Sequence, residues 1–504
     1  MAREAMNALS WIDWTVMLAY AAFVGALGFS FARGHKSTED YFVGDRRMNW
    51  FAVGLSIFAA AFSALSFVLL PREGAFRNWN FLTALLFIPL VITPLLWWVF
   101  VPLFTRLGLH SVYEYLEIRF NPLLRRFGAL LFMGYAFGWL GSMLYAMGLI
   151  LDAVLDLTEA QFFMVLVAVG LVALVYTSFG GLKGIVWLDV LQAVTLGGSV
   201  VIILLLAIGR IDGGFAAVIE AGRAHDKFDM LSLNASPASQ PSIYWIFALG
   251  LFVYLPGYTT SQVTVQRYLC MPGLKQARRA LAINAVMATV VYFLFMLVGT
   301  VMFVYYLQQV GQLPKLASED QILPYFIARD LRVPGMVGLM VAGLFAAAMS
   351  TLDGGINSLT AVIVYDWMGG RKTSVLFSRG LTALIGLGVI GAAVLVPYIG
   401  KHVIDMITTV AGTFLGLLLG VYVLGMFSSR ANSGGAILGL ACGVAGLLFA
   451  WNHPGIPRWW CGAFAFLPTL VVGWATSRLF PPPRPEQRRG LFFYDSSKES
   501  SGAR

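Results

Sequence analysis

Residues 343–355 read GLFAAAMSTLDGG and set two hydroxyls and a carboxyl, Ser350, Thr351 and Asp353, inside a long apolar stretch. An unpartnered polar group in hydrocarbon costs several kcal/mol, and a charged one at the bilayer centre at least about 2.5–3.5. Ala347, Ser350, Thr351 and Gly354 recur at three- and four-residue spacing and share one helix face. Asp353, Asn357 and Thr360 fall on the neighbouring face. Two adjacent hydroxyls, joined by carbonyls from a locally unwound helix, make a cage of neutral oxygens that suits a small hard cation such as sodium. The alternative is that both hydroxyls simply bond back to their own helix.

A second irregularity lies at residues 252–269, FVYLPGYTTSQVTVQRYL. Pro256-Gly257 predicts a break in the backbone ladder in mid-membrane, whose freed groups need partners. Tyr254, Tyr258, Thr259, Ser261 and Gln262 cluster around it and are candidate solute contacts. Residues 54–70, GLSIFAAAFSALSFVLL, hold no proline, but Ala59, Ala60, Ser63 and Ser66 crowd their centre. That pattern fits close helix packing or a site, with Ser66 as a solute contact. Tyr135, Trp139 and Ser142 share a face further on and form either a packing stripe or a solute wall. No HExxH pattern occurs, and all five histidines fall in loops or at helix ends, so zinc-dependent hydrolysis is not expected. No nucleophile–base pair stands out, and an enzyme is not expected.

The elements that must position these residues are membrane spans. The chain has 504 residues, 59% hydrophobic and only 12% charged, well below the charge of a soluble domain. Repeated apolar runs of about 20 residues predict about 13 transmembrane helices in an all-α integral membrane protein. A leading span (about 12–33) precedes twelve others, with a first group over 48–209, a second over 243–427 and two trailing spans over 433–480. Most Lys and Arg fall on one side if the N-terminus is outside and the C-terminus cytoplasmic, which also accounts for the +9 net charge without nucleic acid. The tail, 481–504, reads as polar and disordered. Three cysteines offer no disulfide framework.

Several stretches carry a resemblance: STEDYFVGDRRMNWFAVGLSIFAAAFSA, SVYEYLEIRF (111–120), YTSFGGLKGIVWLDVLQ (176–192), VQRYL (265–269) and AAAMSTLDGGINSLTAVIVYDW (346–367). In this order, over about 12–480, the chain resembles the sodium:solute symporter family. The resemblance implies a LeuT-type fold of two inverted five-helix repeats with one leading and two trailing helices. It implies a sodium site built from Ser350, Thr351 and the carbonyls of Ala347, Ala59 and Phe62. Asp189 of WLDVLQ matches an acidic residue on the ion's exit path or at a second sodium site, and Asp353 would tune the first site. Ser66 and Thr408 stand where sugar-transporting members carry glutamines, and PGYTTSQVTVQRYL looks nearer the monocarboxylate, vitamin and iodide branch.

The expected activity is sodium-coupled symport of a small organic solute by alternating access, with sodium co-transported. The expected setting is a multi-pass plasma membrane, by default a bacterial inner membrane, and the expected state a monomer or weak oligomer. Alternatives are a proton-coupled carrier that titrates Asp189 or Asp353, and a transporter-like sensor or channel.

Overall fold

A capping box starts the first helix, α1 (Trp11–Ser30): Asp13 N–H donates to Ser10 Oγ at 3.2 Å, and Asp13 Oδ2 accepts from Ser10 N at 2.9 Å. The other oxygen of buried Asp13 accepts from Gly338 N at 2.8 Å, so this carboxylate also ties α1 to a distant helix start. The computed structural model describes residues 9–31, 37–155, 157–231, 236, 242–316, 318–370, 373–399 and 403–493.

The next span is broken. Helices α2 (Trp50–Ala61) and α3 (Ala64–Phe76) meet at 70°. Phe62 turns the chain with φ −87° and ψ 102°, and Ser63 caps α3 by accepting from Ser66 N at 3.4 Å. In α4 (Asn80–Leu107), Pro89, Pro94 and Pro102 lack an N–H, and two π-helical stretches, Ile88–Ile92 and Leu96–Phe100, absorb the missing bonds. A short loop helix, α5 (Glu114–Arg119), leads to α6 (Pro122–Leu155). Helix α7 (Glu159–Ile208) has 50 residues, about 75 Å at 1.5 Å per residue and far beyond one bilayer. Gly181, with φ 54° and ψ −173°, divides it into two spans. The connections that follow include a helix, α8 (Gly214–Ala224), and a short helical turn at Ile322–Tyr325.

The second broken span joins α9 (Ile243–Thr259) to α10 (Gln262–Leu269) at 48°. Its turn is not at Pro256-Gly257 as expected. The π-helical stretch Gly250–Tyr254 accommodates the proline, and the chain bends at Thr260–Ser261, whose N–H groups both reach Pro256 O at 2.8 and 3.2 Å. Then follow α11 (Leu274–Val310), α12 (Met336–Trp367), α13 (Val375–Ile399), α14 (Val403–Phe427), α15 (Ser433–Asn452) and α16 (Cys461–Thr476). Ten helices are long and apolar enough to cross a membrane, and the two bent pairs make twelve. Division of α7 at Gly181 gives thirteen among the described residues, the number expected. Side chains at Gly439 and Gly443 would collide with α16 around Thr469 and Gly473, so that glycine ridge serves helix packing within the chain.

The tail corrects the expectation of disorder up to Phe493. Leu491 and Phe492 are buried. Tyr115 OH donates to Leu491 O at 3.3 Å, Arg119 lies 5.3 Å from the Phe492 ring centroid, and Phe493 stacks on Phe427 at 4.5 Å. The polar composition suggested a solvated tail, but the LFF triplet supplies enough apolar surface to seat it on the loop before α6. Burial of one Phe stabilises by about 1.5–3 kcal/mol. Phe492→Asp is therefore expected to release the tail and speed tryptic cleavage after Arg489 by at least about tenfold, read by gel and mass spectrometry.

Candidate ion and solute site

Because α2 stops at Ala61, its last carbonyls have no helical N–H to bind. The hydroxyls of α12 meet them: Ser350 Oγ donates toward Ala59 O at 2.8 Å and Thr351 Oγ1 toward Ala60 O at 3.3 Å. The same hydroxyls lie 3.2 Å from Ala347 O, with Ser350 Oγ also 3.0 Å from Ala346 O. Both residues are at most 2% exposed. The structure thus gathers Ser350, Thr351, Ala347 and Ala59 at one point and adds Ala60. Phe62 is the turning residue, its ring stacked on Tyr292 at 5.7 Å. Five neutral oxygens from two helices, one of them broken, are arranged so that a small cation could replace the hydroxyl protons between them.

A charged cluster lies beside it. Asp189 Oδ2 accepts from Ser56 Oγ at 2.5 Å and from Arg267 Nη2 at 3.0 Å, while Arg267 Nε donates to Ser56 Oγ at 2.7 Å. Neither member of this ion pair is more than 1% exposed. Arg267 lies flat against Gly354, where any side chain would collide with the guanidinium. Asp353 Oδ1 accepts from Gly354 N at 2.5 Å, but among the described residues Oδ2 finds no hydrogen-bond partner, and the same holds for Asp189 Oδ1, Asn357 Nδ2 and both polar atoms of Gln192. Asp189 thus pairs with Arg267, and a second carboxyl, Asp353, lies buried close enough to feel both charges. Sequence inspection passed over Arg267 and Ser56. The available signal was the arginine of VQRYL, which requires a buried acid wherever its helix is apolar on all sides.

The candidate solute residues divide into two groups. Tyr135 stacks on Trp139 at 6.0 Å, and Ser66 sits in the first turn of α3, its hydroxyl 3.4 Å from that of Ser63. Tyr258 OH lies 3.4 Å from Asn284 Oδ1, and Tyr254 stands on the π-helical turn before it. Tyr254 and Tyr258 lie near Tyr292, whose ring stacks on Phe62, and with Phe295 they gather beside the break of α2. Others are occupied locally. Ser142 donates to Gly138 O at 2.7 Å and Thr259 to Leu255 O at 2.8 Å, the helix back-bonding foreseen as the alternative. Ser261 starts α10 without a side-chain cap bond. Gln262 is engaged by the loop before α5, accepting from Val112 N at 2.9 Å and donating to His110 O at 3.0 Å. The side chain of Thr408 lies outside the described residues.

Polar contacts bridge the elements on both sides of the helix breaks. On one side, Arg72 pairs with Asp320 (2.9 Å) and Glu73 (2.5 Å), and Arg77 with Glu319 (2.9 Å), so the two arginines bridge α3 to the connection before α12. On the other, Tyr113 OH donates to Thr260 O at 2.9 Å, Tyr422 OH to Val112 O at 2.7 Å and Ser111 Oγ to Asp366 Oδ2 at 2.6 Å. Arg125 joins Asp366 and Glu117, each at 2.6 Å.

Comparison with known proteins places this geometry. The family model described as sodium:solute symporter family matches residues 41–443. The sodium/sialic acid symporter NanT of Aliivibrio fischeri is 30% identical over 93% of this chain and 93% of its own. The Homo sapiens sodium/iodide cotransporter is 33% identical over 88% of this chain and 69% of its own. A solved structure of a Na+-coupled sialic acid symporter, substrate-bound and outward-open, aligns with a TM-score of 0.85 at 28% identity, covering 94% of this chain and 99% of that one. The chain is a sodium-coupled carrier of a small solute rather than an enzyme, and it belongs to the sodium:solute symporter family.

Proposed function

We propose that sodium is held between Ser350, Thr351 and the carbonyls of Ala59, Phe62 and Ala347, and that its binding licenses solute binding at the adjacent helix breaks. The observation that carries this reading is the convergence of two buried hydroxyls of α12 on the open carbonyl end of α2. With sodium present, each hydroxyl turns its proton away and offers a lone pair. The ion then fastens α2 to α12 more strongly than the two hydroxyl bonds do, and fixes the turn at Phe62–Ser63 that forms one wall of the solute region. A cage without formal charge releases sodium readily once α2 and α12 separate on the other side.

The repeats, residues 48–209 and 243–427, rock against each other to expose the site alternately, with the C-terminus in the cytoplasm and the N-terminus outside. Support for that orientation comes from Arg106, Arg119, Arg125, Lys275 and Arg430, all on the tail's face. One sodium crossing about 100 mV contributes about 2.3 kcal/mol, and a tenfold gradient about 1.4. Together they sustain roughly 500-fold accumulation of a neutral solute. All the groups come from one chain, which works as a monomer or in a weak oligomer.

The walls favour a small organic solute with few hydroxyls. Rings of Phe62, Tyr254, Tyr258, Tyr292 and Phe295 gather beside the break of α2, and the hydroxyls of Ser142 and Thr259 are bonded to their own helices. A hexose needs many paired hydrogen bonds, which this lining lacks. Relatives named for monocarboxylates, multivitamins and iodide fit such a lining better than a sugar carrier.

Three outcomes are expected. Ser350→Ala and Thr351→Ala each remove an oxygen from a cation, about 1.5–3 kcal/mol. Each is expected to raise the sodium concentration for half-maximal uptake roughly 10–100-fold in proteoliposomes, and the double variant to abolish sodium-driven accumulation. Uptake that ignores sodium and follows pH would overturn the reading. Arg267→Gln leaves Asp189 buried and unpaired, a loss of about 3–5 kcal/mol. The neutral pair Asp189→Asn/Arg267→Gln is expected to regain most of the lost thermal stability in detergent. In a solute panel, pyruvate, lactate or pantothenate is expected to be accumulated at least about tenfold better than glucose, measured as radiolabelled uptake.

A further inference from the structure

A groove at the start of α11 shares no lining residue with the candidate ion and solute site. It is an open cavity of about 540 Å³ lined by Trp97, Leu274, Lys275, Arg278, Arg279 and Ala282. Its shape follows from the prolines of α4. The π-helical stretch Leu96–Phe100 sends Val101 N to Leu96 O, and Pro102 has no N–H to offer Trp97 O. Arg278 takes over that carbonyl with Nε at 3.1 Å and Nη2 at 2.9 Å, which bridges α4 and α11 and leaves the groove between them.

Charge accumulates there without compensation. Arg278 is bonded to a neutral carbonyl, and Lys275 and Arg279 are exposed, Arg279 resting 5.7 Å from the Trp50 ring centroid. Among the described residues no carboxylate pairs with any of the three. The same helix face continues along α11 at three- and four-residue spacing through Ala282 to Val286, Val290 and Phe293, which are 58%, 47% and 43% exposed. Trp98 of α4, 64% exposed, projects from the neighbouring helix. In a chain that spans a bilayer, this face is cationic at the headgroup level and apolar below it. A soluble anion would match only its upper part, and a soluble protein partner would leave the apolar part in lipid.

We propose that this groove binds an anionic phospholipid, its phosphate against Lys275, Arg278 and Arg279 and an acyl chain along Val286, Val290 and Phe293. The bound lipid would brace α4 against α11, beside the broken helix α2/α3, whose packing against α11 requires Gly54 and Gly74. The proposal stands independently of the sodium site.

The test uses the full chain in detergent with phosphatidylglycerol or phosphatidylcholine of identical acyl chains, and native mass spectrometry to count retained lipid. Each basic residue near an anionic partner contributes about fivefold in affinity. Wild type is expected to prefer phosphatidylglycerol, and Lys275→Gln/Arg279→Gln to lose roughly 25-fold of that affinity. Arg278 is left in place because it clamps α4. The single variants, each expected to lose about fivefold, serve if the pair does not fold. Val286→Glu, which leaves the cations intact, is expected to weaken the same lipid. Equal retention of both lipids by wild type, undiminished phosphatidylglycerol binding in the variants, or its displacement by millimolar inorganic phosphate would overturn the proposal.

Discussion

Backbone carbonyls at the open end of a helix cannot stay unpaired where water is scarce, and the centre of this protein is organised around that constraint. Helix α2 ends in mid-molecule and exposes carbonyls that α12 must satisfy, because neither lipid nor water does. Ser350 and Thr351 meet the requirement with two hydroxyl bonds that are individually weak. Under the proposed function a sodium ion satisfies the same oxygens with both hydroxyl protons turned away. One set of atoms therefore has two ways to be paired, and they differ in how firmly α2 is held against α12. A carrier needs such a contact, firm when loaded and loose when empty.

The neighbouring cluster differs in kind. Asp189 and Arg267 form a buried pair that a hydrophobic substitution could replace without loss of stability, so the pair itself is poor support for the fold. It links α7 to α10 through Ser56 of α2, and thus joins both broken spans to the helix that carries the acid. Movement of either break strains a charge network that cannot be solvated in place. The oxygens of Asp189 and Asp353 that find no partner among the described residues keep this region under-satisfied, unlike the well-bonded packing of α15 on α16.

The span number, the helix-12 hydroxyl pair and the aromatic region were legible because each depends on residue type and period within one segment. What escaped reading depended on contacts between segments. Pro256 pointed to a break four residues too early, because a π-turn upstream can absorb a proline and defer the bend. Gln262 looked like a solute contact from its place after Pro-Gly, yet the loop before α5 fills both its hydrogen-bonding ends. Asp13 and Arg267 gave no local sign of their partners, which lie 325 and 78 residues away. The tail looked disordered by composition, and the apolar triplet in it was too short to register against so many charges.

The polar contacts on the two sides of the breaks are unequal, and their difference bears on the direction of transport. On the Arg72 side the ties are salt bridges, and the Arg77–Glu319 pair is nearly half exposed at 46% and 45%. Such pairs stabilise by about 0–1 kcal/mol each and weaken in salt. On the Arg125 side the loop at residues 110–120 is held by buried hydroxyl and amide bonds to α10, α12 and α14, and the tail covers it with Leu491 and Phe492. Water competes for the first set and hardly reaches the second. The unloaded protein therefore opens more easily on the Arg72 side, which is the outer side in the orientation proposed above. Opening of the other side must break the buried set, and under the proposed function the energy for that comes from ion and solute binding at the α2–α12 contact.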